Sequence, residues 1–237
     1  MARATAQRIA AAGGKVAILD RPQSVGAEVA AELGGTFHEC DVTDFDGTGA
    51  VIAAAAEALG GIDASVNTAG GGIAKRTMSK DGPHPIDDFR KVVDLNLISS
   101  FNVARLAANH MSRNDANEDG ERGVIISTAS IAAFEGQIGQ VAYAAAKSGI
   151  VGMTFTMARD LGSLGIRANA IAPSLFSTGI TKGIPDEFAD MLTKDAAFPK
   201  RMGKPEEYAR LACAIIENPM LNGGTIRLDA GQRFAPK

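Results

Sequence analysis

The sequence predicts an α/β protein built on a doubly wound parallel sheet. Three observations carry that prediction. Short β-branched runs alternate with longer helical patterns along the whole chain. Several of these runs are apolar almost throughout, which suits strands covered on both faces. Glycine pairs fall where a helix should stop before a strand begins.

The first helical pattern covers residues 3–12 and ends at Gly13-Gly14, ahead of a strand, KVAILD, at 15–20. A second helix, 25–33, ends at Gly34-Gly35 before the strand TFHEC at 36–40. A third helix, 46–59, leads into IDASVN at 62–67. The loop at 70–85 exceeds the usual connection length, as does the one at 173–185, which runs into a short helix. Long loops in compact domains are often functional. A helix over 86–111 is followed by a solvated polar run at 113–122, with no role assigned to it, and by the strand GVIIS at 123–127. A helix over 140–163 precedes the strand IRANAI at 166–171. Pro205 opens a last helix at 205–217, where its missing N–H costs little, and TIRL at 225–228 is an edge strand.

Size and composition set bounds. The 237 residues suffice for one domain with a sizeable core and not for two ordinary ones. A net charge of -3 gives no basic stripe for nucleic acid. No apolar run approaches the roughly 20 residues of a membrane span. Cys40 and Cys213 lack metal or redox spacing and read as reduced, buried thiols in a cytoplasmic protein. His38, His84 and His110 are scattered, so no metal site is expected.

The strongest local signal is Tyr143 with Lys147, in YAAAK. Residues four apart share a helix face, so the ammonium sits near the phenol and favours its ionised form. Ser130 lies thirteen residues upstream of the tyrosine, just past GVIIS. That places it at the carboxyl end of a parallel strand, where ligands bind in this architecture. Asp20 closes KVAILD, where an acidic residue accepts hydrogen bonds from an adenosine ribose and repels the extra phosphate of NADP. This favours NAD, although Arg21 follows directly.

Ser130, Tyr143 and Lys147, preceded by Asn96 in DLNL and by NTAG at 67–70, together resemble the short-chain dehydrogenase/reductases. The resemblance implies a single Rossmann-like domain over residues 1–237. It implies Tyr143 as general acid/base and Lys147 as the group that lowers its pKa and binds the nicotinamide ribose. Ser130 would hold the substrate oxygen, and Asn96 would anchor a water joining Lys147 to solvent. Asp41 and Val42 resemble the adenine-contacting pair, although turn formation or helix capping also accounts for Asp41. Asn67, Ala69 and Gly70 would let the backbone pass close to the cofactor. Pro173 would open the loop over the nicotinamide, where Thr178 either contacts the carboxamide or is an ordinary loop hydroxyl.

The segments AAFEGQIGQVAYAAAKSGIVGMT, IAPSLFSTGI, FPKRMGKPEEYARL and AIIENPMLNGGTIRLDAG resemble the type 2 3-hydroxyacyl-CoA dehydrogenases within that family. The implied activity is NAD-dependent interconversion of a 3-hydroxyacyl-CoA and a 3-ketoacyl-CoA by a homotetramer. Lys75, Arg76 and Lys80 either meet the CoA phosphates or belong to a mobile basic loop. Met153, Met191 and Met202 are candidate liners of an acyl pocket, and Tyr208 reads as packing. The rival readings are a dehydrogenase of another secondary alcohol, such as a hydroxysteroid, and a non-catalytic truncated subunit. In the family a strand and a TGxxxGxG turn precede the first helix. Aligned on that helix, residues 1–3 fall at the tail of the turn. A start assigned to an internal methionine is the favoured explanation over a real truncation, and a targeting segment would be lost with the rest. The expectation is that strands 15–20 and 62–67 each lack a neighbour, with weak NAD binding and marginal folding.

Overall fold

A computed structural model describes residues 1–179 and 185–235. Helix α1 (Ala2–Ala11) leads to strand β1 (Ala17–Asp20), α2 (Gly26–Glu32), β2 (Thr36–Glu39), α3 (Thr48–Leu59) and β3 (Ala64–Asn67). Then come β4 (Met78–Ser79), β5 (Gly82–Pro83), α4 (Ile86–Val93), a wide π-turn (Asp94–Ile98) and α5 (Ser99–Met111). Strand β6 (Gly123–Thr128), a 3₁₀ turn (Ile131–Ala133), α6 (Val141–Gly162) and β7 (Ile166–Pro173) follow. Helices α7 (Asp186–Thr193) and α8 (Pro205–Glu217) and strand β8 (Thr225–Leu228) complete the order.

All the long strands run parallel. Strand β6 lies between β3 and β7, and β8 flanks β7, giving the order β3-β6-β7-β8. Strands β6 and β7 are buried along their whole length, which explains their near-continuous apolar sequence. Side chains alternate across the sheet with period two. Val124 and Ile126 therefore face Tyr208, Ala212 and Ile215 of α8. Ile125 faces the other way, onto Ala104, Ala107 and Met111 of α5 and Met157 of α6. Helices thus cover both faces, as the alternation predicts.

The sheet comes in two pieces. Strands β1 and β2 pair only with each other, and among the described residues no strand pairs with the edge of β3 turned away from β6. A cavity of about 240 Å³ separates β1 from β3, with Ile18, Leu19, Ala64, Val66, Ile52 and Val103 in its walls. The two strands expected to lack a neighbour are the two that border it. Helix α1 packs on α8, and Met1 joins the apolar cluster around Tyr208.

Three local features depart from the sequence reading. The expected helix at 86–111 is split by the π-turn. There the Asn96 side-chain amide donates to the Val92 carbonyl, which would otherwise receive the Asn96 N–H, and to Gly71 O at 2.7 Å. The long loop holds a small antiparallel hairpin, β4 with β5, too short to show any alternation. The polar run at 113–122 does have a role. Its Glu121 pairs at 2.9 Å with Arg167, which is buried in β7 and donates to the Ile215, Ile216 and Leu221 carbonyls beyond the sheet. Those bonds fasten the end of α8 to the strand.

Candidate active site

The site forms where β3 and β6 end. Helix α6 needs no special cap here; its Ala-rich first turns let it lie close to the sheet, with Ala142 and Ala146 buried. Tyr143 and Lys147 project one turn apart from its inner side. Lys147 is 3% exposed, and its Nζ donates to the Thr128 main-chain carbonyl at 2.7 Å. The same ammonium lies 5.6 Å from the centre of the Tyr143 ring. Ser130, two residues past β6, caps the 3₁₀ turn by accepting from Ala132 N and also hydrogen-bonds Tyr143. The sequence-predicted trio therefore converges.

The electrostatics differ from the sequence expectation in one respect. Burial raises the Tyr143 pKa above its ordinary 10.0, and the Ser130 hydrogen bond only partly opposes this. Burial also lowers Lys147 from 10.5 to about 8, and its ammonium is turned to Thr128.

Asn67 and Asn96 shape the approach. Asn67 Oδ1 accepts from Ala69 N at 3.0 Å, and its amide donates to Ser100 Oγ at 3.1 Å, fixing the turn that starts at the end of β3. Asn96 accepts from Gly71 N as well as donating to Gly71 O, so it clamps the glycine run at 70–72 from behind. Its main-chain carbonyl accepts from Ser100 Oγ at 2.6 Å. A β-carbon on Gly70 would lie 2.7 Å from Asn96 Oδ1 and 3.2 Å from Lys147 Nζ; one on Gly72 would lie 3.3 Å from the Tyr143 ring. The backbone at 70–72 thus passes as near to the trio as a chain without side chains can.

The remaining predicted residues are spread along the carboxyl ends of the strands. Asp20 is exposed at the end of β1, and its Oδ1 accepts from Arg21 N at 2.8 Å. Asp41 Oδ1 accepts from both the amide and the hydroxyl of Thr43, which holds its carboxyl below the usual range, so the turn-forming reading holds for this oxygen. Val42 lines the cavity between β1 and β3. Pro173 ends β7, and Thr178 borders a cavity of about 520 Å³ with Met1, Arg3 and Gln7 of the first helix region. Residues 180–184 of that loop lie outside the described residues. Met153 is partly buried and packs against the core at Ile150 and Ala170.

The family model described as enoyl-(acyl carrier protein) reductase matches residues 1–233. The 3-hydroxyacyl-CoA dehydrogenase type-2 of Drosophila melanogaster is 46% identical over 240 residues, covering 100% of this chain and 94% of that one. The human protein of the same name is 46% identical over 237 residues, covering 98% and 91%. This chain belongs to the short-chain dehydrogenase/reductase family. A crystal structure of 3-hydroxyacyl-CoA dehydrogenase type-2 from Mycobacterium avium matches this short-chain dehydrogenase/reductase with a TM-score of 0.94 and 43% identity, over 99% of this chain and 92% of that one.

The family's nicotinamide cofactor suits the residues present. Lys147 has three N–H donors in a buried place and Thr128 takes one, which leaves donors for a hydroxylated ligand such as a ribose. The close pass at 70–72 gives such a ligand a flat backbone wall. Two residues of this dehydrogenase/reductase site escaped the sequence reading: Thr128, whose carbonyl holds the lysine, and Tyr208, which hydrogen-bonds the Thr128 hydroxyl at 2.7 Å. Period two along β6 places position 128 on the α8 face, and that was the available signal. Among the described residues no cluster of His, Cys, Asp and Glu is placed to hold a metal ion, and no helix is long and apolar enough to cross a membrane.

Proposed function

We propose that this chain is an NAD-dependent dehydrogenase that interconverts a 3-hydroxyacyl-CoA and a 3-ketoacyl-CoA. The observation that carries the reading is the convergence of Ser130, Tyr143 and buried Lys147 against the glycine run at 70–72. The relatives named 3-hydroxyacyl-CoA dehydrogenase type-2 give the substrate class. NAD over NADP follows from Asp20, whose exposed carboxylate at the end of β1 accepts ribose hydroxyls and repels a phosphate.

Bound nicotinamide supplies the hydride acceptor. In oxidation the Ser130 hydroxyl holds the substrate oxygen, and the Tyr143 phenolate takes its proton as the carbonyl forms. In reduction the Tyr143 phenol returns that proton. Lys147 orients the ribose and places positive charge beside Tyr143. Asn96 holds the 70–72 wall and, in this reading, anchors the water that reprotonates Lys147. Asp41, Val42, Asn67, Ala69, Gly70, Pro173 and Thr178 line the path of the dinucleotide.

A cavity of about 460 Å³ lies between the loop at 76–78 and the start of α6, lined by Arg76, Met78, Gly139, Val141 and Ala144. Arg76 suits a CoA phosphate at its rim, whereas Lys75 is engaged by Asp88. A homotetramer suits the exposed Ile98, Phe101, Phe155 and Leu164 on and around α5 and α6. Unpaired, buried Cys40 and Cys213 suit the cytoplasm.

The test is NADH oxidation with acetoacetyl-CoA, run in competition with a ketosteroid, the oxidised partner of a hydroxysteroid. Turnover of the thioester with NADH over NADPH is expected. Turnover of the steroid alone would replace the substrate assignment.

A further inference from the structure

We infer that Tyr208, on the opposite face of the sheet from the catalytic helix, is a positioning residue: through the Thr128 hydroxyl it fixes the carbonyl that holds the Lys147 ammonium. The inference deepens the reading of Tyr143 and Lys147 as the acid/base pair and rests on it.

The geometry determines which atom donates. Thr128 Oγ1 lies 2.6 Å from the Asn67 carbonyl, an acceptor with no proton of its own, so the threonine must donate there. A hydroxyl has one proton. The Tyr208 phenol, 2.7 Å from the same oxygen, must therefore be the donor to Thr128. Tyr208 is fully buried, and burial pushes its pKa up to about 12, so the phenol keeps that proton across any working pH. Thr128 thus sits at a junction. Its hydroxyl joins α8 to the end of β3, and its carbonyl receives Lys147 from α6. Asn67 is the residue from which the turn toward Gly70 springs, and a Gly70 β-carbon would touch both Asn96 and Lys147. One phenolic proton therefore braces both partners of the lysine: its carbonyl acceptor and the loop in front of it.

Tyr208 touches none of the reacting groups. It packs with Val124, Ile126, Ile171 and Ile215 on the α8 face. Removal of its hydroxyl leaves the apolar ring in place and takes away one donor. The Thr128 hydroxyl then keeps only its bond to the Asn67 carbonyl, and with one of its two anchors gone the end of β6, the Thr128 carbonyl included, is held less firmly.

The test reads Lys147 directly. Carbon-13 lysine labelling follows its titration by NMR, with the Lys147 signal assigned by its loss in Lys147→Met. The wild-type midpoint is expected at about 8. In Tyr208→Phe and in Thr128→Val the midpoint should fall by about one pH unit, because the ammonium loses a well-placed acceptor. The double variant should fall no further than either single one. Thr128→Ser, which keeps the hydroxyl, should restore the wild-type value. In turnover, kcat should drop about tenfold with KM little changed, the mark of an interaction made in the transition state. An unchanged Lys147 midpoint in folded Tyr208→Phe would overturn the inference. If that variant does not fold, an unchanged midpoint in Thr128→Val would do the same. The titration needs neither cofactor nor substrate, so a chain inactive on acetoacetyl-CoA would unseat the proposed reaction and leave this result standing.

Discussion

The Lys147 ammonium donates to the Thr128 main-chain carbonyl over 2.7 Å in a place where the lysine is 3% exposed. A charge held this far from water is a cost to folding.

That cost has a pH signature. Burial lowers Lys147 from 10.5 to about 8. Below about 8 both folded and unfolded chains hold the proton, and the penalty, on the order of 3 kcal/mol, stands in full. Between about 8 and 10.5 the unfolded chain binds more protons, so stability rises with pH. Cys40 and Cys213, raised by burial, act in the opposite sense above about 9, and Tyr143 and Tyr208 above 10. Denaturant melts of the ligand-free wild type should show the rise from pH 8 to 9, and Lys147→Met should abolish it.

Tyr143→Phe should reduce kcat by roughly 10²- to 10⁴-fold, the usual worth of a placed general acid/base, and leave NADH binding by fluorescence titration intact. The direction of the phenol's own shift is also open to measurement. The chain has two tyrosines and no tryptophan. In Tyr208→Phe the phenolate absorbance therefore reports Tyr143 alone, and it should titrate above 10 without cofactor.

Gly70→Ala puts a methyl group 2.7 Å from Asn96 Oδ1 and 3.2 Å from Lys147 Nζ. Neither neighbour is a free chain end, since Asn96 is tied to Gly71 and Val92 and Lys147 to Thr128. Overpacking of this kind costs about 1–3 kcal/mol. The variant should melt lower and lose more activity than stability, which parallel thermal melts and turnover assays would separate.

Asp20→Ala removes the exposed carboxylate at the end of β1. The ratio of kcat/KM with NADPH to that with NADH should rise by about tenfold, equivalent to about 1.4 kcal/mol. An unchanged ratio would remove Asp20 from cofactor choice.

Arg167→Met strands Glu121 and takes this donor from the Ile215 and Ile216 carbonyls, while Leu221 keeps only the one from Asn169. Breaking such a buried set costs about 3–5 kcal/mol. Chemical denaturation should show it, with the catalytic residues themselves untouched.

The alternation of strands and helices was legible because burial on both faces writes itself into the chain as continuous apolar runs such as GVIIS and IRANAI. Tyr143, Lys147 and Ser130 were legible because helix spacing and the end of a parallel strand fix where they stand. What the sequence concealed depends on partners distant in the chain. The π-turn at Asn96 forms because its amide reaches Gly71, twenty-five residues away. Arg167 near the start of a buried strand is tolerable because three carbonyls and Glu121 meet it there. Tyr208 read as packing, and its ring is packing; its hydroxyl matters because it meets the Thr128 side chain on the α8 face, eighty residues earlier in the chain. The sign of the Tyr143 shift also lay beyond the sequence, because helix spacing brings a lysine near a phenol without saying how deeply both are buried.

The gap between β1 and β3 has a mechanical consequence. Asp20 stands on one plate of backbone and Tyr143 belongs to another, and among the described residues no ladder of main-chain bonds stitches the two together. The plates are coupled through side-chain packing, such as Leu19 against the core of α5 and α6. In the free chain the β1–β2 plate is therefore the first cooperative unit to open, and its amides should exchange with deuterium well ahead of those in β6 and β7. A dinucleotide stretched from Asp20 to Lys147 would act as a rivet across the seam. Its binding energy would then appear first as protection of a strand pair that the chemistry never touches.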